Sequence, residues 1–210
     1  MAAWSLFYPD VQVEVRLAPL PLIDKHLRDA AIELCDRSKV WVQTLDLIDA
    51  VAEQQAYTLP LAAGTELVEI RRAWFNEEPI HPRSKTYLDR KYEDWTAEVG
   101  TPVDYTQDDK TEILLIPAPQ DAATDAIKVR VAIKPTYTAS SLDDALFAEY
   151  RKVIACGAMA SLMAMKDVAW ADPDRSAFHG GRFEAGISKA TTAASDGHVR
   201  ARPRFSGSFC

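Results

Sequence analysis

The stretch Leu142–Lys166, LDDALFAEYRKVIACGAMASLMAMK, restricts the possible folds of this chain more than any other segment. Leu142, Leu146, Val153, Ile154, Gly157, Ala158, Ser161, Leu162 and Met165 recur at helical spacing, which predicts a helix with one apolar face. Ser140 or Ser141 stands where an N-cap is needed, and Asp143, Asp144 and Glu149 set negative charge against the positive end of the helix dipole. The second half, CGAMASLMAM, consists almost wholly of small or thioether side chains. Another backbone can come close there, while Met159, Met163 and Met165 fill irregular gaps. Crossing a bilayer needs about 20 apolar residues, and this run is too short for that. The expectation is a buried core helix. Its residues Gly157, Ala158, Ser161, Leu162 and Met165 are the candidates for packing against a neighbouring subunit.

A chain of 210 residues is long enough for one good core and a subdomain. Its net charge of −7 argues against binding nucleic acid through a broad basic surface. The charge is uneven, because His198–Cys210 holds Arg200, Arg202 and Arg204 and no acidic side chain. Cys35, Cys156 and Cys210 form an odd set without CxxC spacing, and the first two sit on apolar helix faces as small hydrophobes. That fits assembly in a reducing cytoplasm. The first residues, MAAWSLFYPDVQVEV, lack the basic start and apolar run of a secretory signal. No 18-residue apolar run occurs, so no membrane span is expected.

In chain order, residues 1–20 read as extended, with Val11, Val13, Val15 and Leu17 alternating with polar residues as in a half-buried strand. Ile23–Ser38 reads as an amphipathic helix with Ile23, Leu27, Ala30, Ala31, Leu34 and Cys35 on one face. From Val40 the pattern turns to short β-rich runs: WVQTLDLI, AYTLPL, ELVEIRRAWF, VDYTQ, TEILLIP and IKVRVAI. Gly64, Asn76-Glu77-Glu78-Pro79, Asp108-Asp109-Lys110 and 120–125 are the expected corners. A helix over Lys85–Val99 interrupts them. In the last run Ile127, Val129, Val131 and Ile133 face inward while Lys128, Arg130 and Lys134 face out, as in an antiparallel sheet with one wet face. Asp172-Pro173 starts a final helix to about Ser195, with a kink or a close backbone approach expected at Gly180-Gly181.

These readings predict an α+β fold: a helical bundle of long antiparallel helices, an inserted antiparallel β-sheet subdomain and an extended C-terminal arm. The expected divisions are an extended segment 1–20, the bundle from 21–39 and 136–197, the β-rich insertion 40–135 and the arm 198–210.

The chain offers little that resembles reaction chemistry. His26, His81, His179 and His198 are far apart without zinc-ligand spacing, so no metal site is expected. No GxSxG elbow, P-loop or GxGxxG occurs. Asp143-Asp144 and Asp172-Pro-Asp174 stand at helix starts, where capping accounts for them. No catalytic residue and no cofactor is therefore assigned, and the chain is read as a protein that is not an enzyme. In the arm, Val199, Ala201, Pro203 and Phe205 alternate with Arg200, Arg202 and Arg204. Such a segment has too little apolar surface to fold alone. It suits a frayed terminus, a strand laid along a partner with Phe205 and Phe209 in pockets, or a weak, salt-sensitive contact with nucleic acid.

An ordered set of phrases resembles a known family. LIDKHLRDAAIELCDRSKVW (22–41), YTLPLAAGTELVEIRRAWFN (57–76), ILLIPAP (113–119), VRVAIKPT (129–136), LDDALFAEYRKVIACGAMASLM (142–163) and WADPDRSAFHGGRFEAGISKA (170–190) follow one another. Together they resemble the phage head-to-tail connector adaptor proteins, similar to the tail tubular protein A type of short-tailed phages. The resemblance implies a virion structural protein at the head–tail junction. It further implies a ring of twelve copies, with portal protein above, a tail tube or nozzle protein below, and double-stranded DNA passing through the lumen without specific binding. On that reading Arg200, Arg202, Arg204, Phe205 and Phe209 would meet the portal, and the tip Trp74, Phe75, Asn76, Glu77 and Glu78 would face the tail or a neighbour. A tail-completion or other ring-forming tail protein without portal contact is the alternative, and a small hydrolase the remote one.

Overall fold

A computed structural model of the chain describes residues 1–196. They form two compact units: Met1–Val40 together with the chain from Asp143 onward, and Trp41–Leu142. The architecture is mixed α/β, with a large curled sheet of eight strands and five short-to-medium helices. This corrects the expected bundle of long antiparallel helices, because the sheet encloses a core of its own and the longest helix has 24 residues.

In the first unit α1 is Tyr8–Val11, α2 is Leu20–Ser38, α4 is Asp144–Met163 and α5 is Pro173–Asp196. The expected N-terminal strand is instead a 3-10 turn, Trp4–Phe7, followed by α1 and loops. Val11 and Val15 are fully buried, whereas Val13 and Leu17 are 65% and 70% exposed. The apolar residues are thus used at i and i+4, the helical neighbour spacing, rather than at every second position. The α2 helix ends where Lys39 turns left-handed at φ 56° and Ser38 Oγ donates to Leu34 O at 2.6 Å. The cap of α4 is Asp143 rather than either serine: its carboxylate accepts from Ala145 N at 2.9 Å. For α5 the cap is Asp172, which accepts from Arg175 N at 3.0 Å.

The small residues of α4 set the packing of α2, α4 and α5. A Cβ built on Gly157 would lie 2.9 Å from Ala30 Cβ and 2.9 Å from the Phe183 ring, and one on Gly186 would overlap Val153. Real Cβ atoms do not come so close, so only glycine fits at these two crossings. At Gly181 nothing lies within 4 Å of such a Cβ, and α5 runs through Gly180-Gly181 unbroken. The close approach expected there is found at Gly157 and Gly186 instead.

Tyr150, on the buried face of α4, has its phenol pushed up to about 12, first by burial and then by Glu149. A raised folded value means the phenol supports folding fully below the ordinary value of 10 and loses that support as pH climbs toward 12. Between those limits Tyr150→Phe should therefore flatten the alkaline fall in stability, read from denaturation midpoints.

The second unit contains β1 (Val42–Thr44), β2 (Ile48–Ala50), β3 (Ala56–Thr58), β4 (Thr65–Phe75), β5 (Glu78–Pro82), α3 (Lys85–Lys91), β6 (Val99–Gly100), β7 (Asp104–Thr106), β8 (Glu112–Ile116), β9 (Ala118–Pro119) and β10 (Ala123–Pro135). The sheet order is β1-β10-β4-β5-β7-β8-β3, with β2 also on β10; β6 and β9 pair separately. Within the eight-stranded sheet all pairings are antiparallel except β5–β7, and the separate β6–β9 pair is parallel. Tyr57 of β3, Ile113 and Leu115 of β8, and Ile127, Val129, Val131 and Ile133 of β10 belong to one buried cluster, so the sheet curls around them. Helix α3 is shorter than expected, because Tyr92 is already extended at φ −120° and ψ 145°.

Candidate interaction surfaces

On α4, Gly157, Ala158 and Leu162 are turned into the helical unit's own core. Ser161 is exposed, and its hydroxyl bonds Ala158 O at 3.0 Å and meets His26 Nδ1 at 2.8 Å. Met165 is half-buried and lines an open cleft with Pro173 and Ala177. Of the five candidates for subunit packing, only Ser161 and Met165 therefore offer surface to another molecule.

Distant segments meet where the N-terminal stretch lies on α4 and α5. Asp10 pairs with Arg151 at 2.8 Å, and Glu14 reaches both Arg175 at 3.1 Å and His179 Nε2 at 2.9 Å. His179 is 3% exposed, and its Nδ1 has no partner among the described residues. Cys156 borders the same cleft, and burial pushes its thiol up, which keeps it protonated and a poor nucleophile. What this cluster does is hold the N-terminal stretch in place. Sequence spacing could not have shown it, since Glu14 and His179 are 165 residues apart.

In the second unit the β4–β5 hairpin turns on Asn76 and Glu77, with φ of 47° and 67°. Positive φ at both central residues is the two-residue turn that matches strand twist. Asn76, Glu77 and Glu78 are exposed, whereas Phe75 points into the core at 6% exposure. Trp74 is half-buried on the outer face, its ring 5.6 Å from Arg72 Cζ and 5.5 Å from Lys128 Nζ. Arg72 and Arg130 are register partners on β4 and β10, and Trp74 is opposite Lys128. Elsewhere in this unit the Asp104 carboxylate, 3% exposed, takes Arg83 at 3.0 Å and Lys91 at 3.4 Å. Arg83 lies 4.6 Å above the Tyr87 ring, and the Asp104 carboxylate raises its affinity for its proton. This group fastens α3 to β7.

The arm residues Arg200, Arg202, Arg204, Phe205 and Phe209 lie outside the described residues. Among the described residues no three His, Cys, Asp or Glu side chains gather as a metal-ion site, and no helix is long and apolar enough to cross a membrane.

No curated protein matches the chain. A family model described as SU10 adaptor protein matches residues 4–204, which takes in both units and most of the charge clusters described above. With nearly its whole length covered, and in agreement with the adaptor-like phrases of its sequence, the chain belongs to the SU10 adaptor protein family.

Proposed function

We propose that this phage structural adaptor works as one subunit of a ring at the head–tail junction, joining the portal to the tail around the path of the DNA. The family match over residues 4–204 carries the reading. The protein's part is mechanical: it fits against copies of itself and against viral neighbours. A twelvefold ring, assembled in the host cytoplasm, follows the family resemblance. The net charge of −7 supports a lumen that repels the duplex and lets it slide. In this scheme Ser161 and Met165 contribute to lateral contacts, and the hairpin tip at Asn76–Glu78 faces the tail or a neighbour. The arm, through Arg200, Arg202, Arg204, Phe205 and Phe209, clamps the portal.

Electron microscopy of the purified chain mixed with its portal tests the scheme. Rings capping the portal are expected, and the chain should bind tail protein only after docking. A chain found in tails without portal contact would instead be a tail-completion protein. Deleting 198–210 should leave far-ultraviolet circular dichroism unchanged and abolish co-sedimentation with portal. Undiminished binding would remove the arm from the contact.

A further inference from the structure

The outer face of β4 and β10 carries positive charge that the subunit does not balance. Arg72 and Arg130 are directly opposed across the two strands, and like charges in that position destabilise a sheet. Lys128 stands beside them, opposite Trp74. All three cations are exposed, and among the described residues none is in an ion pair. The other end of the same face is different. There Lys134 opposes Glu66 and Lys110 lies 3.0 Å from Glu66, while midway along the strand Arg71, beside Arg72, lies 2.8 Å from Glu69. Charge is thus matched at one end of the strand pair and left unmatched at the other, around a half-buried tryptophan.

We propose that this end of the sheet is a contact between copies: Arg72, Lys128 and Arg130 take exposed carboxylates of a second copy of this chain, with Trp74 as the apolar anchor. The proposal rests on the ring reading above and adds a surface to it. Charge complementarity identifies the occupant. The chain carries 31 acidic against 24 basic side chains, so a neighbouring copy presents an anionic surface. Duplex DNA is the poorer fit, because three cations give only weak, salt-sensitive attraction and the acidic subunit opposes it. Tryptophan and arginine are the side chains that most often dominate interface energies. Facing charges also fix the register of a contact and speed its formation. A contact between two different patches is what closes a ring.

The test uses the full-length chain, wild type, Arg72→Glu/Arg130→Glu, and the control Arg16→Glu/Arg90→Glu, which changes net charge equally elsewhere. Circular dichroism melts establish that each variant is folded; the first exchanges one opposed like-charge pair for another and should melt near wild type. Ring assembly on portal is then followed by sedimentation across a chain titration at low and high salt. For the first variant the chain concentration needed for assembly should rise by at least about tenfold, the scale of a lost close charge contact. The control should match wild type, and high salt should shift wild type toward the variant. Normal assembly by the first variant would overturn the proposal, as would equal loss in the control. Intact assembly with lost binding to a labelled duplex would also overturn it, assigning the face to DNA. Failure of the wild-type chain to form rings would defeat the ring reading and this contact with it.

Discussion

Gly157→Leu should destabilise the helical unit by about 3 kcal/mol, the upper end of the usual cost of forcing bulk into a packed core. The position has no slack. An added Cβ alone would meet Ala30 Cβ and the Phe183 ring at 2.9 Å, so α2 and α5 would both have to retreat from α4. Gly157→Ala should also destabilise, by less, because the clash offsets the gain of about 1 kcal/mol that alanine brings to a helix interior. The matched control is Gly181→Ala on α5, where space is open; it should stabilise by about 1 kcal/mol. Urea midpoints for the three variants would check the set. If Gly157→Ala stabilised as much as Gly181→Ala, the three helices would not be packed as described.

The second large effect is expected at Phe7. Its side chain is fully buried, with the Trp4 ring stacked at 5.9 Å and the Phe147 ring edge-on at 4.9 Å. Phe7→Ala removes a whole aromatic side chain and leaves a cavity, at a cost of about 3–5 kcal/mol. The same urea titration reads the loss. Near-ultraviolet circular dichroism should change as Trp4 and Phe147 lose their partner. A value below about 1 kcal/mol would mean that the N-terminal stretch is not part of the core.

Local patterns in the sequence were informative wherever the chain solves its problem locally. The periodicity of Ile23–Ser38 marks a helix observed over Leu20–Ser38. Asp172-Pro173 begins α5, and the alternation from Ile127 to Ile133 reports which side of β10 is buried. Where the decision is made at a distance, the same rules mislead. Val11, Val13, Val15 and Leu17 alternate as a strand does, yet the segment has no sheet to join and buries only Val11 and Val15. The helical periods of 142–166 and 173–196 suggested a bundle as the main body, but periodicity says nothing about how much core a sheet can enclose on its own. A glycine pair looks like the site of close packing, but which glycine is indispensable depends on the facing helix: Ala30 and Phe183 decide for Gly157. The charge clusters were hidden for a related reason. Arg72 and Arg130 become neighbours only through the β4–β10 register, which itself shifts between Arg130 and Val131.

The interrupted path of the polypeptide has a consequence for biosynthesis. Helix α2 leaves the ribosome ahead of the unit spanning Trp41–Leu142, while α4 and α5 come after it. At about 5–20 residues per second, roughly a hundred residues take several seconds to make. During that time Ile23, Leu27 and Leu34 lack the covering helices α4 and α5, whereas the sheet can close as soon as β10 emerges. The later-made part of the chain therefore sets the pace for its earliest helix, and a nascent chain stalled before α4 would expose a greasy stripe to the cell's folding helpers.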